Sequence, residues 1–199
     1  MIFDLGANVG QFARDLLVRG YEHPILSVEP LEEAHRRLLE ASRTHENWRV
    51  FRRCAVGDAP GAMTLHVAAN SQSSSLLPMT AEHERGAPHA LYVGQETVEV
   101  VTTDQLVAEV APDARRIALK LDVQGYEWHV LRGGAKTLPR VMLIFIEMSL
   151  QPAYHGESDF IDMFQKICGL GFECYALHPA YTSPVDHRVM QVDALFARP

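Results

Sequence analysis

The chain has 199 residues, of which 47% are hydrophobic and 22% charged, and a formal net charge of −7. That length and balance suit one soluble globular domain, residues 1–199, whose core needs no disulfide or metal staple, and they exclude collagen and disordered chains. The acidic surplus argues against a protein whose affinity comes mainly from neutralising phosphates, so no nucleic-acid partner is expected. The longest nearly uncharged apolar run, Val141 to Ile146, is far too short to span a bilayer, and no secretory leader is expected. Cys54, Cys168 and Cys174 show no C-x-x-C spacing and read as buried, reduced thiols of a cytoplasmic protein.

In chain order, short apolar runs alternate with amphipathic stretches. Met1–Leu5 reads as a strand and Gln11–Arg19 as a helix closed by Gly20. Ile25–Glu29 is a second strand, and Pro30 suits the first turn of a helix reaching about Thr44. Trp48–Val56 is expected as one third strand, ended by Gly57-Asp58, with Ala62–Val67 able to form a hairpin. Residues 68–97, with Ser-Gln-Ser-Ser-Ser and two prolines, read as a long loop and a candidate substrate lid. Val98–Val101 is a short strand, followed by a helix from Thr103 to about Val110. Ile117–Asp122 and Val141–Glu147 read as buried central strands flanking a Gly125–Arg132 helix. Phe160–Leu170 is the last helix, and Phe172–Leu177 and Gln191–Ala197 are the final strands.

This alternation predicts an α/β sheet with helices on both faces. Such sheets bind ligands beyond the carboxyl ends of their strands. Asp4-Leu5-Gly6-Ala7-Asn8-Val9-Gly10 falls between the first strand and first helix. Its glycines allow backbone to approach a ligand, Asn8 tolerates the left-handed region, and the following helix start offers free N–H groups. Glu29 follows 19 positions after Gly10, at the end of strand two. A carboxylate so placed can accept both hydroxyls of a ribose. The pattern is not the G-x-G-x-x-G of dinucleotide enzymes, which disfavours an NAD-dependent oxidoreductase.

Phe3-Asp4-Leu5-Gly6-Ala7-Asn8-Val9-Gly10-Gln11, then Val28-Glu29-Pro30, then Lys120-Leu121-Asp122-Val123-Gln124-Gly125-Tyr126-Glu127 resembles the FkbM-type methyltransferases. The similarity runs from Met1 to about Ala197, and the Asp122–Glu127 segment is its most specific part. The resemblance implies a Rossmann-like class I methyltransferase fold: a mostly parallel seven-stranded sheet with an antiparallel last strand. It implies S-adenosylmethionine as cofactor, S-adenosylhomocysteine as product, and methylation of a hydroxyl on a sugar, glycolipid or polyketide-type acceptor. Gly6, Asn8 and Gly10 would face the methionine end, with Asp4 holding its amino group directly or through water. Glu29 would bind the ribose, Pro30 would shape the adenine wall, Asp58 would sit near the adenine amino group, and Ser75 would touch the cofactor. Two departures stand out. Family members usually carry residues before the first strand, so a lid or wall from that region is expected to be missing or supplied by a partner, a homo-oligomer included. The family usually has Glu where Gln124 stands, so no charge-dependent role is assigned there.

Methyl transfer requires the acceptor oxygen about 3 Å from the methyl carbon and in line with it, and a group to take the hydroxyl proton. Asp122 at the end of strand four is the first candidate for that polar role, Glu147 on strand five the second, and His155 in the following loop the third. Lys120, two residues before Asp122, shares its strand face and is expected to pair with Asp122 or Glu147. Glu127 is expected to face a neighbouring helix or solvent. Asp122, Glu147 and His155 offer oxygen and nitrogen ligands, but no close carboxylate triplet appears, so a required divalent metal is not expected. A non-catalytic nucleoside-binding module is the reading from a different functional class.

Overall fold

The computed structural model describes residues 1–183 and 186–199. The described residues form ten strands and six α-helices. The first half holds β1 (Ile2–Leu5), α1 (Gln11–Val18), β2 (Ile25–Val28), α2 (Glu32–Ser42), β3 (Trp48–Val50), β4 (Ala55–Gly57), β5 (Gly61–Ala68) and α3 (Ala81–Gly86). Then come β6 (Tyr92–Thr102), α4 (Thr103–Val110), β7 (Ile117–Leu121), α5 (Glu127–Arg132), β8 (Val141–Ser149), α6 (Phe160–Gly169), β9 (Glu173–Thr182) and β10 (Val189–Ala197).

The main sheet has seven strands in the order β3-β2-β1-β7-β8-β10-β9. Its chain direction is parallel except for β10, which runs antiparallel to both β8 and β9. The order reverses between β1 and β7, which is where ligands collect in such sheets. β1, β2 and β7 are buried almost throughout, which explains their continuous apolar runs; β8 alternates, with Ile144 and Ile146 buried and Leu143 exposed. On one face α4, α5 and α6 close over Leu106, Val130, Ile167 and the strand residues Leu119, Ile144 and Phe196. On the other, Ala13 of α1 and Leu38 of α2 pack on Ile25 and Trp48.

Four expectations need correction. Trp48–Val56 is not one strand. Arg52 and Arg53 fall in the break between β3 and β4, with their guanidinium groups paired to Glu99, Glu109 and Glu96. The chain leaves the main sheet after β3 and enters a second, three-stranded sheet, β4-β6-β5. Ala62–Val67 pairs, but with distant β6 rather than locally: Met63 lies opposite Val98 and Leu65 opposite Glu96. Residues 68–97 are not one long loop either, since α3 is capped by the Thr80 hydroxyl and β6 begins at Tyr92. Of the cysteines, only Cys54 is buried; Cys168 is exposed and Cys174 half-buried, all unbridged. No helix among the described residues is long and apolar enough to cross a membrane.

Candidate functional site

A cleft of about 560 Å³ opens at the carboxyl ends of β1, β2, β7 and β8, within the range of small-molecule sites. Its floor is the first βα turn. Gly6, Asn8 and Gly10 all take positive φ, at 78°, 46° and 88°, as glycine and asparagine can. A Cβ on Gly6 would lie 1.9 Å from the Asp122 carbonyl oxygen, so only glycine lets the β1 and β7 turns meet here. Gly10 serves packing instead. It does not line the cleft, and a Cβ there would strike the Trp48 ring at 2.5 Å.

Glu29 faces the cleft although it is 5% exposed. Its Oε2 accepts from the Asn8 backbone N–H at 2.7 Å and its Oε1 from that of Leu31 at 2.8 Å. One carboxylate therefore ties the glycine turn to the start of α2 and keeps a lone pair on each oxygen for a ligand diol. Burial pushes its carboxyl up to about 7, against the pull of those two N–H groups. Apolar walls flank it: Val28, Pro30, Ala55, Val56, Leu65 and Tyr126. Ser71, Gln72, Ser74, Ser75 and Leu76 supply further lining from the segment after β5. Ser71 is latched to the turn by the Asn8 side-chain amide at 3.3 Å. Ser75 is buried; its hydroxyl donates to the Gln124 carbonyl at 2.6 Å and accepts from the Leu77 N–H.

The β8–β10 side is polar. Asp122, Gln124, Glu147 and Asp193 line it, together with the stacked pair Phe12 and Phe145, whose centroids are 5.7 Å apart. Gln124 Nε2 donates to Asp122 Oδ1 at 2.7 Å and to Glu147 Oε2 at 3.1 Å. Lys120 Nζ lies 3.3 Å from both Asp122 Oδ2 and Asp4 Oδ1 and donates to the Gly6 carbonyl at 3.1 Å. Burial alone would lower Lys120, but the facing Asp122 and Asp4 raise it, so the ammonium stays charged. Burial and then the neighbouring Asp122, Glu127 and Asp193 push the Glu147 carboxyl well above the ordinary range. A raised carboxyl is, once ionised, a stronger base than an exposed one.

Gly6, Asn8, Glu29, Pro30, Ser75, Asp122 and Glu147 thus come together in one cleft. Asp4 lies beneath it, fully buried, with Ser27 donating to its Oδ2 at 2.9 Å; its link to the cleft runs through Lys120. Asp58 is turned away, held at 3.0 Å by His129 Nδ1 and at 3.4 Å by Arg132. His155 is exposed and outside the lining; the inward position in that loop belongs to its neighbour Tyr154. Glu127 faces neither solvent nor another helix but is buried, its Oε1 accepting from Val123 and Gly125 N–H groups. Sequence reasoning missed Tyr154, Phe12 and Asp193. The first two carry no signal beyond hydrophobicity; Asp193, inside an apolar strand pattern, was a visible exception. Among the described residues no three His, Cys, Asp or Glu side chains group as a metal site would.

The profile described as "Methyltransferase FkbM domain" matches residues 4–174, which takes in the glycine turn, Glu29 and the Asp122–Glu147 pair. The chain belongs to the FkbM methyltransferase family. A curated relative, the 2-O-methyltransferase NoeI of Sinorhizobium fredii, is 25% identical over 163 residues, 79% of this chain and 66% of that protein. The solved FkbM methyltransferase of Methylobacillus flagellatus shares the fold with a TM-score of 0.57 and 16% identity, over 97% of this chain and 42% of that one. Magnesium protoporphyrin IX methyltransferase of Synechocystis, solved with bound S-adenosylmethionine, gives 0.52 at 9% identity, covering 100% of this chain and 70% of that one. The chain therefore spans just under two thirds of the curated relative and less than half of the solved FkbM protein.

Proposed function

We propose that this chain is an S-adenosylmethionine-dependent O-methyltransferase acting on a hydroxyl of a glycoside. The observation that carries this reading is the division of one cleft between a carboxylate fit for a ribose diol, Glu29, and an amide-linked carboxylate pair, Asp122 and Glu147. The residues fit the cofactor: the Gly6 cradle leaves no room for a Cβ, and Val28, Pro30, Ala55 and Val56 offer an apolar slot beside Glu29 for an adenine.

When bound, the cofactor supplies an activated sulfonium methyl; the chain's residues hold and deprotonate. Glu29 accepts the ribose hydroxyls, the helix-start N–H groups and Lys120 face the methionine end, and Glu147 takes the acceptor's proton with Asp122 orienting the hydroxyl. The partly exposed Phe12–Phe145 stack beside carboxylates suits a sugar, whose C–H face packs on aromatic rings while its hydroxyls donate to acids. Calorimetry with S-adenosylmethionine, S-adenosylhomocysteine and NADH, then methyl transfer to a panel of methyl glycosides and phenols, tests the proposal. Binding of the adenosyl ligands with transfer to a glycoside hydroxyl supports it. Binding without any transfer favours a nucleoside-binding module, and NADH binding with neither adenosyl ligand refutes it.

A further inference from the structure

Gln124 follows the end of β7 in the left-handed region, φ 54°, directly before Gly125 at φ 92°. Few non-glycine residues adopt positive φ, and here the conformation holds the side-chain amide between two acids. Nε2 donates to Asp122 Oδ1 and Glu147 Oε2, while Oε1 accepts from the Tyr154 hydroxyl at 2.7 Å. The amide cannot turn over without setting its oxygen against both carboxylates, so its orientation is determined. Tyr154 is itself fixed: it is buried, Glu157 holds its backbone N–H at 3.0 Å, and a Cβ on Gly125 would lie 2.9 Å from its ring.

These contacts use the carboxylate oxygens unequally. Asp122 Oδ1 takes Gln124 and Oδ2 takes Lys120. Glu147 Oε2 takes both Gln124 and, at 2.9 Å, Gln191. Glu147 Oε1 accepts no hydrogen bond among the described residues. We propose that Gln124 is a positioning residue which, aimed by Tyr154, turns the acid pair so that Oε1 of Glu147 is the oxygen left to take the acceptor's proton. This rests on the reading of Glu147 as the base.

Glu147 is faced by Asp122 and, behind it, Lys120 from β7, by Glu127 from α5, by Asp193 and Gln191 from β10, and by Gln124 and Tyr154 from the two loops. Gln124 is one of the two amide donors to Glu147 and favours its ionised form, so loss of that donor raises Glu147 further. The test is a carboxyl carbon NMR titration of the full chain labelled at glutamate, with the Glu147 resonance assigned by its loss in Glu147→Gln. Gln124→Met keeps the length and removes the donor. The expected result is a Glu147 midpoint at higher pH than in wild type, with S-adenosylhomocysteine affinity within about twofold. Tyr154→Phe, which frees the amide, shifts the midpoint the same way, and Gln124→Glu, which adds a further carboxylate, shifts it most. With an acceptor the chain methylates, Gln124→Met lowers kcat about tenfold at nearly constant acceptor KM, as loss of orientation does. An unmoved Glu147 midpoint in both Gln124→Met and Tyr154→Phe overturns the proposal. Wild-type turnover in Glu147→Gln would instead sink the base assignment, whatever the titration shows.

Discussion

Glu29→Gln probes the point on which cofactor binding turns. In the native cleft both carboxylate oxygens accept a backbone N–H, from Asn8 at 2.7 Å and Leu31 at 2.8 Å. An amide keeps one acceptor and sets its NH2 against the other donor. A ribose hydroxyl bonded to a charged acceptor is worth about 1.5–3 kcal/mol, against about 0.5–1.5 for a neutral one. Over two hydroxyls the substitution should weaken S-adenosylhomocysteine by about 1–3 kcal/mol, or about 5- to 150-fold in Kd. The effect should depend on pH. Burial places the Glu29 carboxyl at about 7, so roughly nine-tenths is ionised at about pH 8 and roughly one-tenth at about pH 6. The ratio of wild-type to variant affinity, in which any ionisation of the ligand cancels, should therefore fall between those values, by about threefold at the low end of that Kd range and by nearly tenfold at the high end. Calorimetry at the two pH values decides it. A ratio near one at the higher pH would refute the ribose assignment, and a large ratio that ignores pH would refute the burial argument. Stability carries the opposite sign. Because the folded value lies above the ordinary 4.5, the folded chain binds the extra proton between 4.5 and about 7. Glu29 therefore contributes stability at low pH that is lost as pH rises through that window. Denaturant titrations of the variant should lack that component.

Asp122→Asn should reduce turnover more than cofactor affinity, since it leaves Glu29 and the Gly6 cradle untouched; a wild-type rate would leave the acceptor's handling to Glu147 alone. Lys120→Met strands Asp4, fully buried, and half-buried Asp122 without their countercharge, and should cost about 3–5 kcal/mol in urea unfolding at neutral pH. A loss below about 1 kcal/mol would show that neither acid depends on it. Gly6→Ala places a methyl 1.9 Å from the Asp122 carbonyl at φ 78°. It should destabilise by about 2 kcal/mol or more and abolish detectable S-adenosylhomocysteine binding, whereas Gly20→Ala, with nothing near its Cβ, should spare binding.

Much of the fold follows from local pattern. The β1 turn needs positive φ at Gly6, Asn8 and Gly10, and the residues that tolerate it stand there. The buried strand β7 announces itself as an apolar run because it is covered on both faces, Ile117, Leu119, Lys120 and Leu121 all being buried. The break between β3 and β4 was hidden because a local window reads Trp48–Val56 as extended. The partners that Arg52 and Arg53 find in the break, Glu96, Glu99 and Glu109 on β6 and α4, are all distant in the chain. The β5–β6 pairing spans the whole Ser-rich segment, and no local spacing encodes a register made across it.

The same division runs through the site. By itself the sequence determined which strand ends carry glycines and acids, because such residues at such spacings answer to backbone conformation and local chemistry. Which groups meet was decided by the tertiary structure. Asp58 is captured by His129, His155 is left outside while Tyr154 turns in, Asp4 is sealed under Lys120, and Gln124 reaches Glu147, 23 residues on, to join it to Asp122. The physical reason is that a side chain's partners, and with them its charge and its free lone pairs, are set by whichever elements the sheet order brings alongside. Spacing along the chain does not contain that information.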